Sequence, residues 1–203
     1  MTAVGLTGGI GSGKSTVGQL LSARGALVVE ADDVVHQLQR PGQPVFDAIA
    51  RRFGDGVLTV DGALDRAALA EIVFHDTEAR RELEAIVHPE VLRELGRLRV
   101  EAEARGDVIV LDVPLLAEAG PEARTRWGLD GIVVVDCPVD VAVTRLIELR
   151  GMTDDDARSR VYAQVSRKVR LEAADFVIDN SGDLAHLETE VDRCWLWVET
   201  LRS

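Results

Sequence analysis

Residues 8–15 read GGIGSGKS, with four glycines in the first six positions and then a lysine. The lysine carries weight, because Lys14 and Lys168 are the only lysines among 23 basic side chains. Gly8, Gly13, Lys14 and Ser15 satisfy G-x-x-x-x-G-K-[ST], a loop whose glycines let the backbone wrap round an anion with its N–H groups turned inward. The flanks suit this reading. "AVGLT" (3–7) reads as a strand, and "KSTVGQLLSARG" (14–25) as an amphipathic helix whose N-terminal partial charge adds to the cradle. Gly9, Gly11, Ser12, Gly13, Lys14, Ser15 and Thr16 are therefore the expected nucleotide-binding residues. Lys14 is expected to bridge the β- and γ-phosphates, and the Ser15 hydroxyl to ligate Mg²⁺.

Outward from this loop, short runs rich in β-branched residues recur: "ALVVE" (26–30), "DVIVLDV" (107–113), "GIVVVD" (131–136) and "DFVID" (175–179). Such runs read as strands buried on both faces of a parallel sheet. Helical stretches at 14–24, 64–74, 77–104, 139–150 and 154–173 lie between them. Strands alternating with helices predict an α/β fold with right-handed crossovers. The spacing is uneven, since about 75 residues separate the second strand from the third. That insertion, 33–105, has turns of its own at "RPGQP" and "GDGVLTVDG" and reads as a helical subdomain.

A chain of 203 residues fits one domain with inserted parts. A net charge of −12 argues against a general binder of nucleic acid or membrane surfaces, both of which are polyanions. Cys137 and Cys194 lie far apart and match no metal-ligand spacing, so reduced thiols are expected. With no signal-peptide pattern before "AVGLTGG" and no long apolar run, a cytoplasmic location is expected. The sequence does not fix the oligomeric state; a monomer is the expectation.

A phosphate cradle does not name a reaction. Neither lysine follows an asparagine, so the N-K-x-D guanine-reading motif is absent and a regulatory GTPase is disfavoured. A helicase or AAA-type motor needs more chain. A small-molecule kinase or a nucleotide-binding regulatory module without phosphotransfer remains. A kinase needs a group that takes the acceptor proton and mobile positive charge for the transferring phosphoryl group. Asp32 in "VVEADDVVHQL", just past the second strand, either accepts that proton or caps the following helix. From Arg145 to Arg170, six arginines and Lys168 stand against four acids, a local reversal of charge that reads as a helical lid or as a solvated helix pair. Asp112, at the tip of a strand, is either an acid that holds Mg²⁺ through water or a turn residue before Pro114. His88 in "IVHPE" is either a substrate contact or a packing residue. His75 and His186 have no visible partner, and the three tryptophans read as core or surface filler.

Taken together, these stretches resemble the dephospho-coenzyme A kinase family over nearly the whole chain. "GLTGGIGSGKSTV", "EADDVVHQLQRPG", "DGALDRAAL", "IVHPEV", "DVPLLAE", "RGMTDDDARSR", "QVSRKVR" and "ADFVIDNSGD" follow in the family's order. The resemblance implies a P-loop NTPase-type five-stranded parallel sheet flanked by helices, about 1–32, 106–143 and 172–203. It also implies an inserted helical substrate (CoA) subdomain, about 33–105, and a helical lid, about 144–171. The implied reaction moves the ATP γ-phosphoryl group to the 3′-hydroxyl of dephospho-CoA. Asp32 is then the expected base and Arg145 the lid arginine that meets the phosphates, while Asn180 borders the adenine. Arg66 and His88 fall on the substrate side. A kinase of another small alcohol or nucleoside is the nearest alternative. Glu30 stands where the family commonly has aspartate. Some family members carry an added C-terminal domain; this chain stops at Ser203, so no second activity is expected.

Overall fold

The computed structural model describes residues 2–120 and 122–202. The β-branched runs form five parallel strands: β1 (Ala3–Gly8), β2 (Ala26–Glu30), β3 (Val108–Asp112), β4 (Gly131–Asp136) and β5 (Phe176–Asp179). They make one sheet in the order β2-β3-β1-β4-β5, as the sequence predicts in strand number and direction. The first strand in sequence is therefore central. Leu6 lies opposite Asp112 and Gly8 opposite Val135, so the ends of β3 and β4 flank the loop that leaves β1. Loops at the carboxyl edge beside such a reversal of strand order are where open α/β sheets take their ligands.

The chain divides into two compact units, residues up to Glu30 with those from Glu101 on, and Ala31–Val100. In the first, α1 (Lys14–Ala23) and the closing helix α10 (Leu184–Thr200) cover one face of the sheet. Val17 and Leu21 of α1, with Leu187, Val191, Cys194 and Val198 of α10, pack on Val4, Leu6, Val110, Val133, Val135 and Ile178. Burying side chains of this size stabilises the fold by about 1.5–3 kcal/mol each. Trp195 and Trp197 also pack against this core, with the Trp197 ring 5.4 Å from that of Phe176.

The second unit holds α2 (Ala31–Leu38), α3 (Pro44–Phe53), α4 (Arg66–His75) and most of α5 (Thr77–Arg105). Pro44 opens α3, where its missing N–H costs nothing. Asp65 caps α4, accepting from the N–H groups of Ala67 and Ala68 at 3.0 Å. The "GDGVLTVDG" stretch makes a 3₁₀ turn at Asp55–Val57 and a Leu58–Leu64 bridge closed at Gly62.

One expected helix is corrected. The stretch 154–173 is not continuous: α8 (Asp154–Tyr162) stops, and α9 (Arg167–Glu172) begins after four non-helical residues. The Ser166 hydroxyl accepts from the Val169 N–H and starts a new helix there, as a cap residue does. Between α6 (Ala123–Trp127) and α8, α7 (Val139–Arg150) ends at Gly151 in the left-handed conformation. Among the described residues, no helix is long and apolar enough to cross a membrane.

Candidate active site

The loop between β1 and α1 closes on itself through Ser12 N–H to the Gly9 carbonyl, 3.0 Å. Gly11 (φ +77°) and Gly13 (φ +89°) turn the chain through conformations that side chains disfavour. Space forbids a side chain there too. A Cβ at Gly11 would lie 2.7 Å from the Ala142 carbonyl oxygen, and one at Gly13 would strike the Asn180 amide.

This geometry leaves a row of donors. Among the described residues, the N–H groups of Gly11, Gly13, Lys14 and Ser15 donate to no acceptor, whereas those of Thr16 and Val17 both reach the Gly13 carbonyl. Four N–H groups without partners at a helix start, beside an ammonium group, form a site for a polyanion. The Lys14 ammonium pairs with the Asp112 carboxylate, which is almost fully buried at the end of β3. The Asp112 side chain thus faces Lys14 at the start of α1. Ser15 and Thr16 lie exposed in the first turn of α1.

Asn180 and Arg145 hold the loop at the Ser12 carbonyl. The buried Asn180 amide donates to the Ser12 carbonyl at 2.7 Å, and Arg145 reaches the same oxygen at 3.5 Å and the Asn180 side-chain oxygen at 3.4 Å. Asn180 is itself fixed by its N–H to the Asp136 carbonyl, 2.8 Å. The buried Asp136 carboxylate takes a bidentate grip from Arg167 at 2.6–2.9 Å, which raises the pKa of that guanidinium still further. Next to Asn180, burial pushes the Asp179 carboxyl up, but hydrogen bonds from Ser181 and His186 outweigh it and hold the carboxyl below its usual range. His186 thus has a partner in Asp179 at 3.5 Å, and His75 has one in Glu71 at 3.0 Å. Both thiols are free and buried. Burial raises the pKa of Cys137 and, with the Glu190 charge, pushes Cys194 up to about 12.

Asp32, Arg66 and His88 belong to the other unit. Asp32 is not an N-cap. It lies exposed within the first turn of α2, and among the described residues its carboxylate makes no hydrogen bond. Arg66 donates to the Gln39 side chain at 3.3 Å and the His36 carbonyl at 3.5 Å, and His88 is exposed midway along α5. The structure therefore brings Gly9, Gly11, Ser12, Gly13, Lys14, Ser15, Thr16, Arg145 and Asn180 together in one unit, and gives Asp32, Arg66 and His88 to the other. Asp136 and Arg167 brace the loop's neighbour Asn180 without having been singled out. Asp136 closes "GIVVVD" at the productive sheet edge, a signal that could have found it.

No cluster of metal-ligating side chains occurs among the described residues. A magnesium ion takes most of its oxygens from phosphates and water and only one or two from protein. Ser15 and Asp112 are the protein oxygens beside the cradle.

The family model for dephospho-CoA kinase matches residues 2–186. A relative described as dephospho-CoA kinase in Methylococcus capsulatus is 51% identical over 95% of this chain and 94% of its own. Among solved structures, TT1252 from Thermus thermophilus superposes with a TM-score of 0.77 at 34% identity, covering 97% of both chains. Dephospho-CoA kinase from Campylobacter jejuni shares the fold, with a TM-score of 0.70 at 22% identity over 98% of this chain and 97% of that one. The phosphate loop, the sheet order and these likenesses agree: the chain belongs to the dephospho-CoA kinase family.

Proposed function

We propose that this protein transfers the γ-phosphoryl group of ATP to the ribose 3′-hydroxyl of dephospho-CoA, giving CoA and ADP, the last step of coenzyme A biosynthesis. The observation that carries this reading is the row of unpaired N–H groups at Gly11, Gly13, Lys14 and Ser15 beside the one lysine of the loop, in a chain of this family. In the transfer, the 3′-oxygen forms a bond to the γ-phosphorus and the bond from that phosphorus to the β–γ bridging oxygen breaks. The hydroxyl proton passes to the Asp32 carboxylate. The Lys14 ammonium has three N–H donors, enough to serve the β- and γ-phosphates while Asp112 steadies its remaining side. The Ser15 hydroxyl would hold Mg²⁺, which would supply charge neutralisation for the phosphates. Arg145 meets the transferring group and Asn180 borders the adenine.

The helical unit is the proposed receiver of the substrate, through Arg66 and His88, and residues 144–171 the proposed lid that keeps water from the reacting phosphoryl group. The reaction is placed in the cytoplasm, with the chain acting as a monomer. The test is ADP release with dephospho-CoA, adenosine, simple alcohols or no acceptor. Turnover should depend on dephospho-CoA, with slow background hydrolysis. Equal ATP consumption with and without acceptor would refute the kinase.

A further inference from the structure

The segment between α8 and α9 does not merely connect two helices; it grips the first half of the phosphate loop. The Ile10 N–H donates to the Gln164 side-chain oxygen at 2.8 Å. The Ile10 side chain packs against Val143, Leu146, Ala157 and Val161 of α7 and α8. On one side of Ile10, the Arg170 guanidinium lies against Gly9, so that a Cβ there would be 2.9 Å from Nη2. The same guanidinium donates to the Val165 carbonyl at 2.6 Å, folding the segment onto itself. On the other side, Gly11 is pressed against the Ala142 carbonyl. The Arg167–Asp136 pair anchors α9 to the end of β4.

We propose that Gln164 is a positioning residue for ATP binding, acting through Ile10: its side-chain oxygen holds the Gly9–Ile10 peptide turned away from the anion cradle. The proposal rests on the loop being the ATP site. Ile10 stands between two glycines, so the peptide on its N-terminal side can rotate at little steric cost. Without the Gln164 acceptor, the Ser12 N–H bond to the Gly9 carbonyl is the one hydrogen bond left on this peptide among the described residues, and the N–H groups of Gly11 and Gly13 are held less firmly in their common direction. The crevice lined by Ile10, Gln164 and Arg170 holds about 10 Å³, room for one water at most, so solvent is a poor replacement for the amide. Gln164 therefore raises the fraction of molecules whose loop is ready to bind. A residue acting this way changes apparent ATP affinity by the competent fraction and leaves the chemical step alone.

The test compares wild type, Gln164→Met, Gln164→Asn and Gln164→Glu in the full chain. Methionine keeps length and removes the acceptor; asparagine keeps the amide but falls a methylene short. Both should raise KM for ATP by roughly 2–12-fold, the loss expected for one part-buried hydrogen bond, with kcat within about twofold and KM for dephospho-CoA unchanged. Amide hydrogen exchange at Ile10 should accelerate by about tenfold or more in both, while Leu6 in β1 keeps its protection. Glutamate retains an acceptor oxygen and should restore slow exchange at Ile10. Loss of kcat at unchanged KM, or wild-type exchange at Ile10 in the methionine and asparagine variants, would overturn the proposal. If wild type binds MgATP but phosphorylates no dephospho-CoA, the reaction is refuted and not this inference, and the Kd for MgATP must then rise by the same factor in Gln164→Met.

Discussion

Lys14 pairs with Asp112 and is proposed to meet the phosphates, and Lys14→Met separates the two. Asp112 is 4% exposed, and among the described residues Lys14 is the sole partner of its carboxylate. Removing the ammonium leaves a buried charge uncompensated. Breaking one side of a fully buried pair costs about 3–5 kcal/mol, and the partial exposure of Lys14 lowers this to roughly 2–4. A domain of this size loses about 2–4 °C of Tm per kcal/mol, so Lys14→Met should melt about 4–16 °C below wild type. Asp112→Asn added to Lys14→Met leaves no charge to strand and should recover most of that loss, a coupling of about 1–3 kcal/mol. Activity should not return, because the phosphates still lack the ammonium. Thermal melts of wild type, the two single variants and the double variant, at neutral pH without nucleotide, measure the cycle. A Lys14→Met protein as stable as wild type, or a double variant no more stable than Lys14→Met, would refute the reasoning.

Other substitutions probe neighbouring links. Asp32→Asn should lower kcat by roughly 10²–10⁴ while calorimetry finds ATP affinity nearly unchanged, as the proposed role of proton acceptor requires. Asn180→Ala removes the 2.7 Å bond to the Ser12 carbonyl. It should destabilise the fold by about 1–3 kcal/mol in urea titrations and raise KM for ATP, since the loop loses its support at Ser12. Cys194 supplies a pH test. Its thiol is pushed from 9.0 to about 12 in the fold, so the unfolded chain loses this proton first. The resulting stabilisation is whole below about pH 9 and fades as pH climbs towards 12, by about 2 kcal/mol between pH 9 and 10.5. Cys194→Val should lack that component, and equal alkaline losses in both proteins would contradict it.

Much of the first unit is legible in the sequence because its signals are local. Buried parallel strands need unbroken β-branched runs, and all five appear within a residue or two of the observed ends. The glycine loop is legible for the same reason, as its turns must be made by glycine itself. What escapes depends on distant partners. Asp112 before Pro114 looks as much like a turn residue as a partner of Lys14, which lies 98 positions earlier in the chain. The break between α8 and α9 hides inside "VYAQVSRKV", where the spacing still suits a helix. Gln164 leaves the helical path to meet Ile10, 154 positions away, and no local pattern announces that bond. The closing helix is a different case. Leu187, Val191, Cys194 and Val198 repeat at helical spacing behind the cap residue Asp183, so α10 is readable from local pattern alone.

The defining feature of the proposed reaction is the oxygen that receives the phosphoryl group. Dephospho-CoA analogues lacking either the ribose 3′-hydroxyl or the 2′-hydroxyl, each assayed for ADP release with wild-type protein, address this directly. The 2′-deoxy analogue should be phosphorylated, and the 3′-deoxy analogue should leave ADP release at the acceptor-free background. Stimulated ADP release with the 3′-deoxy analogue would contradict the account.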